Sequence, residues 1–247
     1  ASRSRCALKD KFAALSIRKG HKKSIVALAH KILRIVFAVI KNKTPYLDKL
    51  AQSGLYFKNA FVTTPICAAS RASLFTGLYE RTHDYTFGKL PLSNQYMLES
   101  YPYLLRKAGY RTGFVGKFGV KVNKGIEDSM FNVSKKTAWP YIKEINGKKI
   151  HLADINGNHA IDFIKDSKGQ PFCLSLSFWS PHADDDSKEQ YFWPSYCDSL
   201  YADAKIPVPE TADPAFFNGL PAFLKTTMNR DRWYWRFDSS EKYQRMV

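Results

Sequence analysis

Closely spaced cysteines are missing: Cys6, Cys67, Cys173 and Cys197 are scattered over 247 residues. Their spacing excludes a zinc knuckle built from paired cysteines and gives no basis for a disulfide framework. Long hydrophobic runs are missing as well. The most apolar stretch, 25–40, is too short to cross a bilayer and is broken by His30, Lys31 and Arg34. It follows 24 mostly basic or small residues, an order unlike a secretory signal. The expectation is a soluble chain with no membrane contact; nothing in the sequence fixes its compartment. Acidic residues are nearly absent from the start. Residues 1–43 hold only Asp10 against 12 Lys and Arg, whereas 44–247 hold 21 acidic against 26 basic residues. The net charge of +16 thus belongs mainly to the first sixth of the chain, and only that part suggests contact with nucleic acid.

What is present is enough for a core, with 45% apolar residues. Ala7, Leu8, Phe12 and Leu15 recur at helical spacing, a basic turn follows at 18–23, and a second helix is predicted through Ile25, Leu28, Ile32, Val36 and Ile40. From residue 44 the pattern changes to helix, glycine and short apolar run. Helices are predicted at 46–52, 68–75, 98–108 and 155–164, and strands at 111–115 and 172–178, with an extended segment at 56–62. This alternation predicts an α/β fold with a mostly parallel sheet flanked by helices. The almost wholly apolar strand at 172–178 is expected to be central. The segment 121–149, rich in Lys, Asn and Gly, is expected outside the sheet, with Asn146-Gly147 a hairpin turn.

Ligands of open α/β sheets bind beyond the carboxyl ends of the strands. Lys117 follows one predicted strand and His182 the other, so both are expected on that rim. Cys67 opens the helix that carries Arg71, and a spacing of four brings the two onto one face. Free amide hydrogens at that helix start favour an anion beside Cys67. A nucleophile, a guanidinium, an ammonium and an imidazole suit a tetrahedral oxyanion ester, either sulfate or phosphate. Taken singly, each has a plainer reading: a buried thiol, a structural ion pair, a solvated lysine and a strand-end histidine.

The segment Cys67-Ala68-Ala69-Ser70-Arg71-Ala72-Ser73-Leu74-Phe75-Thr76-Gly77 resembles the signature of the sulfatase family, within the alkaline-phosphatase-like superfamily. Thr44 to Ala51 and Gly54 to Phe61 resemble the segments that precede it. Gly109 to Lys117 resembles the second signature, and Pro171-Phe172, Ser177-Phe178 and Pro181-His182 a later one. The resemblance covers about 44–247 and implies that Cys67 is a formylglycine precursor. In the family the aldehyde hydrate attacks sulfur, and the sulfated intermediate collapses to regenerate the aldehyde. By the same resemblance Arg71 orients or stabilises the nucleophile, Lys117 holds sulfate oxygens and His182 contacts the ester. The implied substrates are sulfated small molecules or carbohydrates. His83, shortly after the signature helix, is a further substrate-pocket candidate with a structural role as its alternative. Intact members are often periplasmic or secreted.

The chain also departs from the family pattern. Many members carry a histidine two residues beyond the lysine, where this chain has Gly119. The resemblance further implies Ca2+, held by one acidic pair expected before Thr44 and another expected beyond Val247. Neither pair is identifiable, and Asp184-Asp185-Asp186 reads as a solvated rim. The expectation is a partial, catalytically inactive sulfatase N-terminal domain at 44–247 that binds no calcium. Residues 1–43 resemble the C-terminal end of a bacterial insertion-sequence transposase. They form the basis of the alternative reading, a basic helical module with weak, non-specific nucleic acid contact fused to an inactive remainder.

Overall fold

The structure, a computed structural model, describes residues 45–200 and 202–246. The basic segment 1–43 and its predicted helices lie outside the described residues. The chain divides between Phe61 and Val62 into two compact units. In the first, helix α1 spans Pro45–Ser53, in agreement with the predicted helix. Pro45 occupies its first position, where the missing amide hydrogen costs nothing. The extended segment expected at 56–62 forms no strand. It turns at Lys58-Asn59, and Leu55, Phe57 and Val62 stay exposed, so burial does not reward an extended pairing.

The second unit is built on three parallel strands, β1 (Arg111–Gly116), β2 (Val133–Lys136) and a later strand at Phe172–Ser177. An antiparallel hairpin, β3 (Ile142–Ile145) and β4 (Lys148–His151), lies between them in sequence, and the strand at Phe172–Ser177 is therefore β5. The sheet order is β2-β1-β5. Gly113 stands opposite Val133 on one side and Leu174 on the other, and Gly116 stands opposite Lys136 and Ser177. The central strand is β1, buried along nearly its whole length, and β5 is at the edge with Phe172 and Leu176 exposed. This corrects the expected centrality of 172–178. Its apolar run resembles a strand buried on both faces, but β5 pairs on one side only among the described residues. The expected exclusion of 121–149 from the sheet is corrected as well. Val133 to Lys136 joins β1, and its two lysines are the charges expected of an edge strand. The Asn146-Gly147 turn closes the β3–β4 hairpin as predicted, both residues having positive φ.

Helix α2 (Cys67–Thr76) packs through Ala68, Ala69 and Ala72, all buried, which lets its backbone approach its neighbours closely. Phe75 extends from the same helix into a cluster with Phe114, Phe118 and Phe131, their ring centroids 5.2–6.3 Å apart. Met97, Met130 and Leu92 complete this core. Burying each such side chain contributes roughly 1.5–3 kcal/mol. Short helices α3 (Glu80–His83) and α4 (Asn94–Met97) precede α5 (Tyr101–Lys107), which feeds β1. α5 begins later than the predicted 98, because Pro102 suits the first turn and Leu98 to Ser100 form the turn before it. Helix α6 (Ile126–Met130) connects β1 to β2, and α7 (Leu152–Asp166) connects the hairpin to β5. His151 caps α7, its Nδ1 accepting from the Ala153 amide at 3.1 Å.

Beyond β5 the chain is mainly loops and short helices: α8 (Pro214–Asn218), α9 (Ala222–Lys225), α10 (Met228–Phe237) and α11 (Ser240–Met246). Helix α10 is tied to the acidic loop. Arg232 and Arg236 both pair with Asp185, and Arg236 Nε donates to Gln190 Oε1 at 2.8 Å. Asp185 is therefore an anchored residue rather than part of a purely solvated rim. No helix among the described residues is long and apolar enough to cross a membrane.

Candidate active site

Cys67 is the first residue of α2 and is half-buried. The residue before it, Ile66, has no side chain able to cap the helix, and the first intrahelical bond comes from the Ser70 amide to the Ile66 carbonyl. The amide hydrogens of Cys67, Ala68 and Ala69 are thus left as donors at the positive end of the helix. One turn on, Arg71 reaches the ends of two strands. Its Nη1 donates to the Lys117 carbonyl at 2.6 Å and to Ser177 Oγ at 2.5 Å. The guanidinium therefore joins α2 to the residue after β1 and to the last residue of β5. Among the described residues, Nε and Nη2 make no hydrogen bond.

Lys117 is held at the same point. Its amide donates to the Ser177 carbonyl at 2.9 Å, while its Nζ lies 4.4 Å from the centroid of the Trp179 ring. Neither Lys117 nor Arg71 has a carboxylate within ion-pair distance among the described residues. Burial pulls both cations below their ordinary pKa values, and nearby Cys67 acts in the opposite direction on both. Arg71 lowers Lys117 further. Helix α2 carries Cys67 and Arg71 one turn apart, and Arg71 Nη1 reaches the Lys117 carbonyl, so two half-buried cations without a carboxylate partner among the described residues stand at the helix start.

Position 119 lies against both. Gly119 has a φ of +67°, and a Cβ there would stand 2.8 Å from Arg71 Cδ and 3.8 Å from Lys117 Cε. A histidine at this position would have to displace the Arg71 side chain.

His182 approaches through aromatic neighbours. Its ring lies 5.5 Å from Trp139 and 6.4 Å from Trp179, with Nδ1 at 2.6 Å from the Ala183 carbonyl. Facing a carbonyl oxygen, Nδ1 is the donor in that contact, and Nε2 makes no hydrogen bond among the described residues. Tyr141 OH donates to the His182 carbonyl at 2.6 Å and fixes the backbone. Lys117 and His182 thus flank one indole. His83, by contrast, is buried with both ring nitrogens engaged: Nδ1 accepts from the Tyr85 amide at 3.1 Å, and Nε2 meets Ser73 Oγ at 2.9 Å. It braces α2 against α3 and presents no spare nitrogen.

Sequence reasoning missed Ser177, Trp179 and Tyr141. Ser177 and Trp179 had a signal, as polar and aromatic residues at the carboxyl end of a strand just ahead of His182. Tyr141 had none, since its role depends on how the hairpin packs.

Among the described residues, no three of His, Cys, Asp or Glu come together to form a cation cage. The described donor set therefore does not fit a calcium ion.

The profile of the sulfatase family matches residues 36–232. The chain belongs to the sulfatase family. The match reaches into the segment likened to a transposase end, and that likeness gains no support. The extracellular sulfatase SULF-1 homolog of Drosophila melanogaster is 33% identical over 168 residues, 59% of this chain and 15% of its own length. Human N-sulphoglucosamine sulphohydrolase is 31% identical over 165 residues, 60% of this chain and 29% of its own. A solved structure of a protein in complex with its substrate D-glucosamine-2-N,6-O-disulfate aligns with a TM-score of 0.56 and 18% identity, over 82% of this chain and 52% of that one. At that identity the likeness is one of fold. This chain spans less than a third of the length of either curated relative.

Proposed function

We propose that the chain binds the sulfate group of a sulfate ester between α2 and the ends of β1 and β5, as part of a sulfuric ester hydrolase. The observation that carries this reading is the pair of half-buried cations, Arg71 and Lys117, placed without a carboxylate beside the uncapped start of α2. The sulfate group of an ester, a monoanion with its charge spread over three oxygens, supplies a negative partner and accepts from the helix amides, from the free edge of Arg71 and from Lys117 Nζ. Residue 67 then carries the nucleophile, a hydroxyl of the hydrate formed when water adds to a formylglycine aldehyde, which an external oxidant must generate from Cys67 with loss of its sulfur, and Arg71 sets its orientation. Lys117 neutralises charge on the sulfate oxygens, and His182 contacts the ester, its Nε2 donating to the leaving-group oxygen when the ring carries both protons. Sulfated carbohydrates are the proposed substrate class, in keeping with the disulfated glucosamine bound by the protein of like fold and with the name of the human relative.

The test is binding of inorganic sulfate to the full chain, followed by turnover of an aryl sulfate and the mass of the peptide containing Cys67. Turnover that stops in C67A, with a mass change at Cys67, means a working hydrolase. Binding without turnover means the incomplete site that the sequence leads one to expect. A chain that binds sulfate no better than chloride at equal ionic strength refutes the reading.

A further inference from the structure

We propose that Trp179 is a positioning residue for Lys117, its indole face holding the ammonium at the anion site in place of a carboxylate. The proposal rests on the oxyanion reading above. A lysine has four rotatable side-chain bonds, so an unheld ammonium loses much freedom when it meets an anion. A carboxylate partner would fix it but neutralise it. An aromatic face attracts the cation through its quadrupole, leaves the charge in place and leaves N–H donors pointing away from the ring. Lys117 Nζ is 4.4 Å from the Trp179 centroid and has no ion pair or hydrogen bond among the described residues.

The indole is itself held. Trp179 Nε1 donates to the Thr137 carbonyl at 2.8 Å, and the Thr137 amide donates to the Gly116 carbonyl at 3.0 Å. Thr137 Oγ1 donates at 3.0 Å to Oδ1 of Asn156, which is fully buried. The Trp139 ring packs against Trp179 with centroids 4.9 Å apart. Gly116 immediately precedes Lys117, so the contacts form a closed circuit through residues that end or follow β1, β2 and β5. The lysine is thereby set relative to all three strand ends by one ring.

The experiment measures sulfate affinity and the labelling rate of Lys117 by acetic anhydride, read by peptide mass, in the full chain. Exposed Lys121 serves as the internal standard. W179L is expected to weaken sulfate binding about tenfold and to speed labelling of Lys117 severalfold, while W179F, which keeps a ring face, stays within about threefold of wild type. W179M, which fills the volume without a quadrupole, replaces W179L if that variant does not fold. The proposal is overturned if the aliphatic variants match wild type in both readouts, or if W179F is as damaging as they are, since the hydrogen bond to Thr137 would then be what matters. Sulfate binding lost in K117A but kept in W179L overturns this proposal alone. If wild type ignores sulfate, the oxyanion reading fails, and the labelling rates still decide whether the indole holds the lysine.

Discussion

Substituting alanine for Gly116 perturbs the fold and the site at a single atom. Gly116 ends β1 with a φ of +104°, and a Cβ there would stand 2.0 Å from the Ser177 carbonyl oxygen and 2.8 Å from its carbon. Both are backbone atoms of the paired strand, so no side-chain rotation relieves the clash. The left-handed backbone costs about 1–3 kcal/mol for a residue with a side chain. Forcing the strand ends apart costs about 1–3 kcal/mol more, as overpacking does. The expected loss of roughly 2–6 kcal/mol is a large part of the 5–15 kcal/mol typical of a domain. The separation also acts on function, because Ser177 accepts from both Lys117 and Arg71. Equilibrium urea unfolding gives the stability, and sulfate titration of the folded fraction gives the site. If G116A lowered stability by less than about 1 kcal/mol and bound sulfate like wild type, the strand-end geometry described here would be wrong.

Other consequences follow from the same contacts. R71A removes the bonds to the Lys117 carbonyl and Ser177 Oγ, and is expected to cost about 2 kcal/mol in urea unfolding together with most sulfate affinity. Lys117 is held below the ordinary lysine pKa mainly by burial, so it loses its charge at a lower pH than a free lysine; sulfate affinity should fall as pH rises through that lowered value, and K117R should carry binding further into the alkaline range. His83 and His151 are both lowered below 6.5, chiefly by burial. The unfolded chain therefore takes up protons first on acidification. Their contribution to stability is complete above 6.5 and declines as pH falls from there toward the folded values, a slope that thermal melts should show and that H83Q with H151Q should flatten.

The sequence made some parts of this architecture legible and hid others for identifiable reasons. The start of α2, β1, α7 and the Asn146-Gly147 turn were readable because local period, glycine position and apolar pattern agree there. β2 was hidden because it is four residues long and carries Lys135 and Lys136, so its pattern is that of a charged loop; only its parallel pairing with β1 makes it a strand. β5 was overread, because an apolar run reports composition and not the number of neighbours. In the site, the spacing of four between Cys67 and Arg71 placed both on α2. What Arg71 touches was not readable, since Ser177 lies 106 residues away and meets it only through the β1–β5 register. Gly119 showed in the sequence only as a departure from the family pattern. A side chain there would meet Arg71 Cδ at 2.8 Å, so the Arg71 side chain occupies space that glycine leaves open.

The most direct measurement is the position of a tungstate ion, a tetrahedral dianion that scatters anomalously, in crystals of the full chain. The account predicts a peak at the start of α2 beside Cys67, within hydrogen-bond reach of Arg71 and Lys117 Nζ. A well-occupied peak elsewhere on the chain, with none at that position, would contradict it.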